Sequence, residues 1–320
     1  FVALDRPLGR LSELAGSLPA EAAGELREVL ARLPHARAFN PFSVAMAMPN
    51  APASLLSIKL GLHGPCRTAT AACASATVAI GQAFRAVAHG ECDLVLTGGA
   101  EYLGDPYGGP FRAFDAVGAL ARGDRPPLEV NRPFDRDRSG FLFAEGGGAV
   151  LVLEERRRAL ARGARPLAEV TGYGESADAH SLMVMEPSGE QIRRAVTACL
   201  ADAGLAAADV GYVNAHGTGT ESNDPLEAEV LSRVFPHGVP VSSTKSLLGH
   251  TLGASGALEA VAAVWTLDRG TAHPSRNLER PVADLPFVTT ASRLDPAHAL
   301  SQSFAFGGQN AVLALSRPDL

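Results

Sequence analysis

From Thr68 to Phe84 the chain runs TATAACASATVAIGQAF without a single charged residue, and from Cys73 the pattern reads as a helix reaching about His89 with Gly90 as its stop. A helix of Ala, Ser, Thr, Val and Ile with no polar face has to be enclosed on all sides. The chain must therefore supply a body large enough to bury it. Its 320 residues, 46% apolar and 19% charged, can do so and are too poor in charge for a disordered tail. The length fits one large α/β unit or two ordinary domains. With 28 basic and 34 acidic residues the net charge is −6, which offers no basic field for nucleic acid or anionic lipid.

No apolar run reaches the roughly 18 residues that span a bilayer, and the opening FVALDRPLGR lacks the basic-then-apolar pattern of a signal peptide. The cytoplasm is the expected compartment. Four cysteines (Cys66, Cys73, Cys92, Cys199), none in a CxxC pair, agree with a reducing one. The chain begins at Phe1 with FVAL, which reads as a strand; the expectation is that a natural N-terminal stretch is absent.

Strand-like runs start at Asp93, Gly147, Asp209 and Asn310, and helical patterns cover 73–89, 189–203, 224–233 and 253–268. That alternation is α/β, and no Pro/Ser-rich linker divides it, so one compact body is expected. FAEGGGAVLVL from Phe143 resembles FAFGGQNAVLAL from Phe304, an offset of roughly 161 positions that implies two related halves. Each copy reads as a hairpin whose glycine turn joins two strands. A weaker echo pairs CASATVAIG from Cys73 with GASGALEAV from Gly253, two small-residue helices expected to pack face to face.

Cys73 opens the buried helix, where unpaired N–H groups and the helix dipole favour a thiolate nucleophile, although a buried cysteine taken alone is more often plain packing. His216 follows the apolar run VGYV in NAHGTGT, at a strand end where α/β enzymes display reactive groups. His250 lies in SSTKSLLGHTLGASG, five residues after Lys245. Each histidine alone is as readily structural as functional. A metal site of His216, His250 and Asp224 lacks close ligand spacing, so no metal is expected. No GxGxxG, P-loop or GxSxG pattern occurs, which disfavours a phosphate cradle and serine hydrolysis.

Together, CASA at Cys73, NAHGTGT at His216, KSLLGH ending at His250 and SFAFGG at Phe304, with RPFDRDRSGFLFAEGGGAVLVLEE and NDPLEAEV between, resemble the elongating β-ketoacyl-acyl carrier protein synthases over about residues 40–316. The resemblance implies a thiolase-like, five-layered αβαβα fold of two pseudo-repeated halves, residues 1–155 with the nucleophile and the start incomplete, and residues 156–320 with the histidines. It implies Cys73 as acyl acceptor, His216 and His250 acting on the malonyl group, Lys245 as supporting cation and Glu259 as its structural neighbour. The N–H groups of Cys73 and Phe306 would form the oxyanion hole, the Phe306 side chain would gate the thiol, and Thr218 and Thr220 would bind the phosphopantetheine arm. Phe111 and Phe114 are expected at the acyl pocket.

Loss of CO₂ from a malonyl thioester replaces the strong base that an unactivated acetyl group would need, and two imidazole N–H donors would hold the resulting enolate. Each ring then needs its proton on Nε2, so a neighbour must fix its tautomer. Acylation of Cys73 is expected to proceed without the histidines. No cofactor is implied. The implied partners are an acyl carrier protein, docking on a basic patch such as Arg122 or Arg125, and a second subunit, in a homodimer or a heterodimer with a chain-length factor.

Degradative thiolases have a second cysteine where SFAFGGQNA has none, and initiating synthases pair Cys with His and Asn. A coenzyme A thiolase or a non-condensing partner subunit are the alternatives, the latter expected to lack the cysteine. Gln309 stands where threonine is common and Asn223 where glycine is common, which puts loop geometry and substrate preference in question.

Overall fold

The computed structural model describes residues 11, 13, 15–32, 48–104 and 108–318; the strand expected at FVAL lies outside them. The chain divides into two compact units, Phe1–Thr68 and Ala69–Leu320, although no composition shift marks a linker there. The first holds α1 (Ala20–Arg32) and α2 (Ala51–Leu60). Helix α2 begins with proline in its first turn and ends on Gly61, whose φ of 64° lets its N–H turn back to Ile58.

The second unit carries all the residues singled out from Cys73 onward. Its elements run α3 (Ser75–Ala88), β1 (Leu94–Tyr102), α4 (Gly109–Ala116), β2 (Gly146–Glu154), α5 (Arg156–Ala161), β3 (Glu169–Ala177), α6 (Glu190–Ala203), β4 (Val210–Asn214), α7 (Asn223–Val234) and β5 (Val241–Ser242). They continue with α8 (Lys245–Leu248), α9 (Ser255–Arg269), β6 (Thr271–Ala272), β7 (Ser292–Arg293), β8 (His298–Phe304) and β9 (Gln309–Ser316).

Five strands form a mixed sheet in the order β3-β9-β8-β4-β5, with β4 parallel to β5 and β8, and β9 antiparallel to β3 and β8. Strand β9 is buried on both faces, which is why it reads as an unbroken apolar run. Its residues sort by the period of two: Val312 and Ala314 pack with Ile192, Val196 and Leu231 of α6 and α7, while Ala311 and Leu313 pack with Ile80, Ala257 and Ala260 of α3 and α9.

Helices α3 and α9 touch through their small residues, as expected. A Cβ at Gly256 would lie 2.1 Å from Thr77 Oγ1 and 2.8 Å from Thr77 N, so only glycine admits this approach. Beyond them lies the antiparallel pair β1 and β2, with Gly99 against Ala76 and Gly253. Four of the five expected layers are thus present among the described residues, in the order helices, sheet, helices, sheet. The first half contributes the smaller sheet among the described residues, and its outward Val150 and Val152 are 54% and 59% exposed.

The glycine-turn expectation holds for one copy only. Strands β8 and β9 form a hairpin, with the Ala305 N–H bonded to Gln309 O and Gly307 and Gly308 at φ of 88° and 76°. In the first copy β2 pairs with β1, far upstream, and the residues before the turn go elsewhere: the His250 N–H donates to Leu142 O and Ala144 N–H to His250 O. Residues 103–145, including α4, are inserted between the two paired strands. That insertion, not the glycines, sets the connection.

Candidate active site

The two small-residue helices are entered in the same way. A 3₁₀ turn, Ala72–Ala74, leads into α3, and Leu252–Ala254 leads into α9. Ala72 and Leu252 both take a left-handed backbone, with φ of 44° and 46°, a strain that non-glycine residues accept only where surrounding packing enforces it. The first turn presents Cys73. The second follows His250 and turns the chain so that its ring meets the thiol.

His250 Nε2 lies 3.1 Å from Cys73 Sγ, though 177 residues separate them. The His216 ring stands edge-on to His250, with centroids 5.6 Å apart. All three side chains are buried. The backbone N–H groups of Cys73 and Phe306 both bear on the sulfur. Phe306 brings its N–H there from the β8–β9 turn, the one hairpin of the repeat, while its side chain stays half-buried. Gln309, in place of threonine, opens β9 without disturbing that turn.

Lys245 Nζ donates to His216 O at 2.7 Å, to His216 Nδ1 at 3.1 Å and to Glu259 in a buried ion pair. An ammonium only donates, so Nδ1 of His216 is the unprotonated nitrogen and its proton sits on Nε2. This supplies the fixed tautomer that two-imidazole chemistry requires. Ser303 in turn bonds Glu259 and Thr77, tying the ion pair to both central helices.

Burial holds both histidines well below the usual imidazole range, helped by the charge of Lys245 and, for His216, by His250. Both rings are neutral at pH 7. The thiol departs from its expectation. Burial pushes Cys73 up to about 11, against the downward pull of Lys245 and of the two N–H groups, so the resting group is a thiol and not a thiolate. The helix terminus is too weak to offset the loss of solvent. Because the thiol keeps its proton, His250 Nε2 at 3.1 Å is the nitrogen placed to accept it.

His216 is held by a carboxylate that sequence reasoning passed over. Glu227 accepts from the His216 N–H at 2.7 Å, Gly217 N–H at 2.8 Å, Asn223 Nδ2 and Gln302 Nε2. Its signal was present: Glu227 lies four residues after Asn223, on the same face of α7. Asn223, where glycine was expected, bridges Glu227 and Asp224 through one amide. The Asp224 carboxylate is spent on the N–H groups of Phe134, Thr218 and Gly219, which makes it a loop anchor and not a ligand.

The remaining predicted residues sort by contact. The Thr218 and Thr220 hydroxyls lie 2.8 Å apart in the loop beyond His216, and Thr220 Oγ1 also accepts from the Asn223 N–H at the start of α7. Phe114 packs on Phe141, which stands edge-on to His250, so it is one ring removed from the site. Phe111 is farther out, 48% exposed, against Phe143. Arg122 and Arg125 are exposed but already paired, with Asp115 and Asp137, which weakens the expected basic patch.

Two family models match: residues 17–159 fit the beta-ketoacyl synthase N-terminal domain and residues 167–279 its C-terminal domain. A 3-oxoacyl-[acyl-carrier-protein] synthase 2 from Synechocystis is 40% identical over 284 residues, 87% of this chain and 68% of its own length. Among solved structures, a beta-ketoacyl synthase from Burkholderia phymatum superposes with a TM-score of 0.84 at 37% identity, over 91% of this chain and 71% of its own. A type II polyketide synthase ketosynthase, in complex with its acyl-carrier protein and bound to the hexaketide, gives 0.86 at 28%, over 94% and 76%. The fold is the thiolase-like one that the motifs implied.

Proposed function

The chain belongs to the β-ketoacyl synthase family, and we propose that it extends carrier-bound acyl chains through Cys73. An acyl group leaves the thiol of an acyl carrier protein for Cys73. The thiol proton passes to His250 Nε2 and then to the departing carrier thiolate. A malonyl carrier then loses CO₂, and the carbanion attacks the Cys73 thioester. The product is a β-ketoacyl thioester longer by two carbons, and Cys73 is free again.

The observation that carries this reading is the convergence on one sulfur of an imidazole nitrogen at 3.1 Å and two backbone N–H groups, with a second neutral imidazole against the first. Preorganised N–H donors of this kind are worth about 3–4 kcal/mol each toward a developing oxyanion. The His216 Nε2–H, backed by Lys245, is the donor for the malonyl enolate. Because CO₂ loss supplies the carbanion, no metal or redox cofactor is required, and both substrates ride on phosphopantetheine, with Thr218 and Thr220 as the hydroxyls for that arm. Phe114, behind Phe141, is the pocket wall for the acyl chain.

The solved relatives pair ketosynthases with an acyl-carrier protein and with chain length factors, which supports a carrier and a second subunit, either like or unlike, as partners here. No helix of the described residues is long and apolar enough to cross a membrane, and the cytoplasm is the proposed compartment. Mass spectrometry after incubation with an acyl-carrier thioester tests the reading. A mass gain located on Cys73, lost in Cys73→Ala, is expected. No adduct would assign the chain to the non-condensing partner subunits instead.

A further inference from the structure

The pseudo-repeated turns carry a serine at the same place, and the two serines do different things. Ser75 serves its own backbone: its hydroxyl accepts from the Ala71 N–H at 2.8 Å and donates to Ala72 O at 2.7 Å. Ser255, 2% exposed, turns instead toward the site, with Oγ 2.9 Å from His250 Nδ1 and 3.1 Å from Thr251 Oγ1. A local capping role does not explain that direction.

The neighbours of the two imidazoles differ in kind. His216 Nδ1 faces an ammonium, which can only donate, so that ring has one tautomer. His250 Nδ1 faces a hydroxyl, which can donate or accept, and that hydroxyl is backed by a second one. Two complete arrangements follow. With Cys73 free, S–H points to Nε2, Nδ1–H donates to Ser255 Oγ, and Ser255 O–H donates to Thr251 Oγ1. With Cys73 acylated there is no S–H; after the thiol proton has left with the carrier, the ring loses its Nδ1 proton to solvent and takes one from solvent at Nε2, Ser255 O–H donates to Nδ1, and Thr251 O–H donates to Ser255 Oγ. In both, the His250–Ser255 and Ser255–Thr251 contacts each pair one donor with one acceptor, as a buried network requires.

We propose that Ser255, backed by Thr251, is a positioning residue that reverses its hydrogen bond to His250, holding the ring as a proton acceptor while Cys73 is free and as an Nε2–H donor once Cys73 is acylated. This rests on the reading of Cys73 as the acyl acceptor. One ring then serves both half-reactions, while His216 stays a fixed donor.

The test is ¹⁵N NMR of the full chain with labelled histidine, before and after Cys73 is blocked with iodoacetamide. The expected result is that His250 moves from Nδ1–H to Nε2–H on blocking, while His216 stays Nε2–H. In Ser255→Ala the His250 tautomer should be the same in both states, and acyl transfer to Cys73 should slow about tenfold; Ser255→Thr should restore both. Thr251→Val, which keeps Ser255 but removes its backing hydroxyl, should weaken the change. A single His250 tautomer in the parent protein, or an unaltered change in Ser255→Ala, would overturn the proposal. Blocking with iodoacetamide needs no acyl transfer, so absence of acylation by a carrier thioester would defeat the functional reading while leaving the tautomer result to be judged separately.

Discussion

Lys245 joins two roles that substitution can separate. Its ammonium neutralises Glu259 in the interior and holds His216 as the Nε2–H tautomer. Lys245→Met keeps the length of the side chain and removes both. Glu259 is then left buried with only the Ser303 hydroxyl, at 3.4 Å. Stranding one partner of a buried pair costs about 3–5 kcal/mol. At about 2–4 °C per kcal/mol for a domain of 150–250 residues, the melting temperature should fall by on the order of 10 °C. Glu259→Gln added to Lys245→Met removes the stranded charge, and most of that loss should return, because neutral groups of similar shape are cheap to bury.

Catalysis should not return with it. Without the ammonium His216 has no donor at Nδ1, so its proton is no longer confined to Nε2. Loss of one aligned donor is worth about 10²–10³ in rate. Thermal melts and release of labelled CO₂ from a malonyl carrier, with Cys73 already acylated, separate the two effects. The double variant should melt close to the parent protein yet decarboxylate about a hundredfold more slowly. The charge of Lys245 also holds both imidazoles low, so the pH below which CO₂ release fails should move upward in the variant. Recovery of decarboxylation together with stability would show that Lys245 acts on Glu259 alone, and the tautomer argument would fall.

With burial pushing Cys73 up to about 11, alkylation by iodoacetamide should accelerate about tenfold per pH unit from pH 7 to 10 and level off near 11; a plateau below pH 8 would contradict the buried thiol. Asn223→Gly removes one donor from each of two buried carboxylates. Burial has already raised Glu227 to about 7, so its protonated form stabilises the fold below its unfolded value near 4.5, and that contribution is lost as pH rises through 7. The variant deepens the loss: urea denaturation should show a cost of about 1–3 kcal/mol at pH 8 and less at pH 5, and equal costs would refute it. Gly256→Ala sets a Cβ 2.8 Å from the Thr77 backbone nitrogen, which cannot swing aside, and should cost about 1–3 kcal/mol by the same method even in combination with Thr77→Ala; full rescue by that second change would place the clash at the hydroxyl alone.

Elements whose signal is local were open to reading from the chain alone. The helices expected over 73–89, 189–203, 224–233 and 253–268 fall within about two residues of α3, α6, α7 and α9, because burial of a whole helix face leaves a period that no neighbour has to supply. The small residues of α3 and α9 likewise announced a close approach, and Gly256 against Thr77 is that approach. The hairpin at Phe143 failed for the complementary reason. A run of glycines permits a turn but does not say which strand lies on its far side, and in the first half the partner of β2 precedes a long insertion.

The site divides along the same line. Position in sequence located Cys73, His216 and His250, yet it could not give their protonation. The thiol was expected ionised from its helix terminus, a nearest-neighbour effect, whereas its enclosure depends on segments as distant as Phe141 and Ala305. The two imidazoles looked interchangeable for the same reason. In the folded chain one is pinned by Lys245, a donor from α8, and the other rests on Ser255 at the head of α9, a hydroxyl free to point either way. A condensing site needs both behaviours: a donor that never changes for the enolate, and a base that accepts one proton before it donates another. The asymmetry between an ammonium and a hydroxyl, both more than 170 residues along the chain from the cysteine but in contact with the rings, is what would let two identical side chains take unequal work.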